Sequence, residues 1–172
     1  MRRKIVVVVI VIVCFLLQCT VFKSLAIASV SPNLLIVVTA SFGFMRGKKE
    51  GLIIGFFCGV LMDIMFGSVL GFYALIYMFI GYFNGFFKKS FFPEEIRLPI
   101  VLIAISDLFC NLLIYFVLFW FRGRFGFGYY FIHTIMPELV YTMIITIVLY
   151  FVLLKINQKL EEIEKRSASK FV

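Results

Sequence analysis

From Ile5 to Phe22 the chain carries no charged residue. As a helix, a run of that length crosses most of a hydrocarbon core about 30 Å thick. The pattern recurs. Six apolar segments are expected, at about 5–22, 32–45, 50–66, 70–87, 98–121 and 130–154 of the 172 residues. The composition agrees, being 63% apolar and only 15% charged. What remains is short loops and a polar stretch, 155–172, too little for a separate soluble domain. Backbone polar groups in lipid must be satisfied within the segment, so each run is expected to be helical. The reading is one all-α integral membrane domain, a bundle of six transmembrane helices, followed by a cytoplasmic polar tail.

The charges cluster at the ends of the apolar runs. An even number of spans puts both chain ends on one side. That side then holds Arg2, Arg3 and Lys4; Arg46, Lys48 and Lys49; Lys88, Lys89 and Arg97; and Lys155, Lys159, Lys165, Arg166 and Lys170. Only Lys23, Arg122 and Arg124 fall opposite. The asymmetry predicts both termini in the cytoplasm. It also gives the net charge of +8 a topological meaning, so no nucleic-acid partner is implied. The first run resembles a signal peptide, with Ala26-Ile27-Ala28 as a small-residue site. Lys23 lies between the two, and an uncleaved first span is expected.

Little in the chain suggests reaction chemistry. Cys14, Cys19, Cys58 and Cys110 lie in apolar runs without zinc or redox spacing, and His133 is the one histidine. No catalytic residue, metal or cofactor is expected. Ser31-Pro32-Asn33 reads as a helix start, with Ser31 as cap and Pro32 in the first turn.

The third run carries Gly51, Gly55, Gly59 and Asp63 at steps of four, and Gly67 and Gly71 flank the following turn. Residues four apart lie on nearly one helix face, drifting about 40° per step. The glycines make a shallow groove that suits close helix packing in lipid. The groove serves either packing within the bundle or a partner's transmembrane helix, with Asp63 at its mouth. Gly81 and Gly85 form a second small-residue pair.

Three carboxylates fall inside spans: Asp63, Asp107 and Glu138. Each costs about 2.5–3.5 kcal/mol on insertion scales and should face protein or water. Asp63 would accept backbone bonds at Gly67-Ser68 or cap the fourth helix; a partner contact and an ion site are the alternatives. Asp107, one turn before Asn111, would pair between helices or belong to a pathway. Glu138 follows Pro137, whose ring frees a carbonyl in the preceding turn, and would help to satisfy that kink. Arg46, Lys48 and Lys49 would meet anionic lipid or a cytoskeletal partner.

Taken together, Arg46-Gly47, Glu50-Gly51, the glycine helix with Leu61-Met62-Asp63, and Phe66-Gly67-Ser68-Val69-Leu70-Gly71 resemble the central signature of the MreD family, bacterial rod-shape-determining membrane proteins. Ser31-Pro32-Asn33-Leu34 and Met136-Pro137-Glu138-Leu139-Val140-Tyr141 are similar to two further family motifs. Asn33 and Thr142 depart from the residues usual there, an acid and an asparagine. The resemblance implies a non-enzymatic, multi-pass subunit of the cell-elongation machinery in the bacterial cytoplasmic membrane. The implied partners are an MreC-like protein and, through it, MreB, RodA and a penicillin-binding protein that build lateral-wall peptidoglycan. It also implies a fold like that of the substrate-binding subunits of energy-coupling-factor vitamin transporters, and such a transporter subunit is the alternative function. An ion or proton pathway through the three carboxylates is a third reading.

Overall fold

The computed structural model describes residues 2–25, 30–67, 70–92, 96–117 and 127–168. These form helices, with no strand element among them: α1 (Arg2–Cys19), α2 (Val21–Ser24), α3 (Leu34–Arg46), α4 (Lys48–Phe66), α5 (Phe72–Asn84), α6 (Arg97–Tyr115), α7 (Phe127–Tyr130) and α8 (Met136–Ala168). A 3₁₀ turn, Gly85–Ser90, extends α5, and a π turn, Phe131–Ile135, joins α7 to α8. Ala26–Ala28, Ser68, Pro93–Glu95, Trp120, Arg122 and Arg124 lie outside the described residues. With them goes the small-residue site expected from the sequence.

Three helical stretches are long and apolar enough to cross a membrane: Arg3–Ser24, Arg97–Tyr115 and Gly128–Glu164. The other three apolar helices are shorter or more charged. α3 and α5 have 13 residues each, and α4 carries Lys48, Lys49, Glu50 and Asp63 within its 19.

The short α3 sits at the centre. Every residue from Leu34 to Met45 is buried, and α1, α4, α5, α6 and α8 all pack on it. Its sequence is small or apolar all round, as a helix enclosed on every side requires. The run expected as a span at about 32–45 is thus enclosed by the other helices. The cap is two residues later than expected: Asn33, not Ser31, precedes the helix, and its Oδ1 accepts the Ile36 N–H at 3.3 Å.

Outward faces are apolar. Ile5, Val9 and Ile12 of α1, Phe57 of α4, Phe83 of α5, Ile105 of α6 and Val148 of α8 are all exposed. Apolar exposure of this extent suits lipid as solvent.

Candidate functional site

α4 and α5 form the tightest pair in the molecule, and the glycine face is where they meet. A Cβ on Gly51 would run into the Gly81 carbonyl, and one on Gly81 into the Gly51 carbonyl. Likewise, a Cβ on Gly55 would strike the Tyr77 carbonyl, and one on Gly59 would strike Ala74. α3 joins at the same level, since a Cβ on Gly43 would lie 2.6 Å from the Gly81 oxygen. Backbones this close gain dispersion contacts that larger side chains would prevent. The face proposed for a partner's helix is filled by α5 of the same chain. Gly85 takes part in similar packing, its Cβ direction running into the Lys48 backbone.

Asp63 completes this pair from the end. It is 3% exposed. Its Oδ2 accepts the N–H groups of Gly71 at 3.0 Å and Ala74 at 2.9 Å, and its Oδ1 accepts that of Tyr73 at 2.9 Å. These are first-turn donors of α5, which have no partner inside their own helix. The negative charge also complements the positive end of the helix dipole. Gly71 makes the geometry possible by taking φ +95°, where a Cβ is unfavourable. Gly67 ends α4, its N–H returning to the Asp63 carbonyl at 3.0 Å. Ser68, the other backbone donor considered for Asp63, lies outside the described residues.

A second buried helix start was not foreseen as a cluster. The first N–H groups of α3 open inside the bundle, where water cannot meet them. Leu35 N–H donates to Gln18 Oε1 at 3.2 Å, and Asn33 N–H donates to Thr142 Oγ1 at 3.1 Å. The Tyr77 hydroxyl donates to Asn33 Oδ1 at 2.7 Å. α1, α5 and α8 are thereby tied to the start of α3. The two departures from the family pattern, Asn33 and Thr142, are bonded to each other. The signal in the sequence was a Pro-Asn helix start together with isolated polar residues in otherwise apolar runs.

Asp107, Asn111 and Glu138 come together where α6 meets α8. Asp107 is 1% exposed, and neither of its carboxylate oxygens has a hydrogen-bond partner among the described residues. Asn111 Nδ2 donates to the Asp107 backbone carbonyl at 3.2 Å, and the Asn111 side chain is also within reach of the Glu138 carboxylate. Pro137 has no N–H, and the helix changes register just ahead of it: Met136 N–H bonds back to the Phe131 carbonyl, five residues away. Further along, Asn84 Nδ2 donates to Ser106 Oγ at 2.8 Å and links α5 to α6.

At the basic end the expected residues divide. Arg46 turns inward, with 9% of its side chain exposed. Its Nε donates to Asn157 Oδ1, and its Nη1 lies 3.4 Å from Glu164 and 3.9 Å from Glu161. Arg3 bridges Glu50 and Glu164. The stretch after Leu154 continues as helix to Ala168 and is bonded back onto the bundle. Lys48 rests its ammonium over the Phe86 ring, 3.4 Å from the centroid. Lys49, Lys88 and Lys89 are exposed, and no ion pair involves any of these four lysines among the described residues.

No group of three His, Cys, Asp or Glu side chains that would hold a metal occurs among the described residues. Searches of curated proteins and of solved structures find no match. A family model described as rod shape-determining protein MreD matches residues 1–160. That match covers all eight helices except the last turns of α8, including the Asp63 cap, the buried start of α3 and the Asp107–Glu138 seam. The chain belongs to the MreD family of rod shape-determining membrane proteins.

Proposed function

We propose that this protein is a non-enzymatic membrane scaffold of the cell-elongation complex. It binds an MreC-like protein, and through it MreB, RodA and a penicillin-binding protein, so that lateral peptidoglycan synthesis follows the cell axis. The observation that carries the reading is the family match over residues 1–160. Its buried polar groups support it: Asp63, Asn33 and Gln18 accept hydrogen bonds that hold helix starts, a structural use. In this reading the chain crosses the cytoplasmic membrane six times with both termini inside, in a fold like that of the energy-coupling-factor binding subunits. α3 is the enclosed span.

With the glycine face already occupied, the partner is met on the outer apolar faces. The exposed Lys49, Lys88 and Lys89, rather than Arg46, meet anionic lipid. The test is depletion in the native bacterium, with a tagged copy recovered in mild detergent. Rounded cells and an MreC-like protein in the eluate are expected. Normal rods with paired ATPase subunits in the eluate would overturn the scaffold in favour of a transporter subunit.

A further inference from the structure

Asp63 and Asp107 are both buried aspartates, yet they are treated differently. Asp63 holds three backbone N–H groups. Asp107 holds none, and both its oxygens are sealed from solvent without a donor among the described residues. Glu138 lies across the α6–α8 seam, close enough to feel the Asp107 charge. Among the described residues, the neighbouring elements bring no cation to it. α5 brings Tyr73 and Tyr77, α6 brings Cys110, and Tyr130 lies beside Glu138. α3 packs on α6 with a stretch, Leu34–Met45, that has no titratable side chain.

A sealed aspartate with a half-buried glutamate beside it is disfavoured as a pair of bare ions. No lysine or arginine bonds to either Asp107 oxygen among the described residues, and both oxygens are sealed from solvent. A small ion would neutralise them without a side chain from the described helices. Carboxylate oxygens suit a hard ion rather than a transition metal.

We propose that Asp107, Asn111 and Glu138 form a buried binding site for one small monovalent cation, a proton or an alkali ion, between α6 and α8. The cation offsets the repulsion between the two carboxylates and so keeps the two helices together at this level. This site does not depend on which partner the outer faces bind.

The test uses the full chain in lipid nanodiscs at neutral pH, in sodium, potassium or choline chloride. Infrared spectra and melting temperatures are recorded, with and without carboxyl-¹³C aspartate. Aspartate occurs only at positions 63 and 107. A bound proton gives a carboxylic-acid carbonyl band in all three salts. That band moves with labelled aspartate, survives Asp63→Asn and disappears in Asp107→Asn. A bound alkali ion gives no such band. Instead, sodium or potassium raises the melting temperature over choline, by roughly 3–5 °C per tenfold rise in concentration above the Kd. Asp107→Asn or Glu138→Gln abolishes that rise. A wild-type protein with neither an aspartate acid band nor an alkali-dependent melting temperature overturns the proposal, whether or not the variants fold.

Discussion

Asp63 shows how one side chain can decide an element. Its two oxygens accept three N–H groups at the start of α5, in a place only 3% exposed. Asp63→Ala leaves those donors without partners. Stranding a buried donor costs about 1–3 kcal/mol, so the thermal midpoint in detergent should fall by several degrees. Asp63→Asn keeps an acceptor oxygen and should fall less. Equal midpoints for wild type and Asp63→Ala would show that the cap does not hold α5. The capping role was one of several readings open from the sequence, because a carboxylate followed by a glycine turn looks the same whether it points inward or outward. Gln18 and Thr142 were harder to find. A single amide or hydroxyl in an apolar run gives no direction, and its partner lies far along the chain.

At the scale of elements, the apolar runs were legible as helical, while α8 continues past Leu154 into the polar stretch. The central place of α3 was not legible. In a water-soluble protein, a polar stripe marks the outer face of a helix. In lipid both faces are apolar, so periodicity no longer separates inside from outside. The glycine stripe of α4 was legible as a packing face, but its occupant was not, since spacing describes a groove and not what fills it. Gly81→Leu should force α4 and α5 apart at Gly51. Overpacking of this kind costs about 1–3 kcal/mol or more, and the variant should melt lower than wild type. Phe57→Leu, on the outward face, should melt as wild type does. Loss of a co-purifying partner in Gly55→Leu would accordingly report a disturbed α4–α5 pair. If Gly81→Leu melts with wild type, the close backbone contact is not what holds the pair.

For the whole molecule, the basic end works as a clasp. Arg46 and Arg3 draw α1, the α3–α4 turn and the far part of α8 together through Asn157, Glu161, Glu164 and Glu50. A chain ending at Leu154 loses Asn157, Glu161 and Glu164 at once. It should still insert, because Arg3–Ser24 and Arg97–Tyr115 remain whole and most of the last apolar stretch is kept. Its Arg46 would be left buried with no acceptor, and limited proteolysis at the α3–α4 turn should be faster than in the full chain. Unchanged proteolysis would mean that the clasp contributes nothing to order there. Surface ion pairs are individually weak. The expectation rests on Arg46, whose side chain is largely withdrawn from solvent.

The hydrogen bond from Asn33 to Thr142 spans 109 positions of sequence. A ribosome makes the N–H long before it makes its acceptor. Until α8 emerges, the start of the enclosed helix stays open on one side, and the nascent protein is in the membrane but not yet latched. Quality-control proteases that survey the bilayer would therefore see an unfinished substrate through most of synthesis. A fragment ending at residue 117 should be cleared rapidly in pulse-chase labelling. Supplying residues 127–172 as a separate polypeptide should prolong its life, and a Thr142→Val version of that second piece should do so less well.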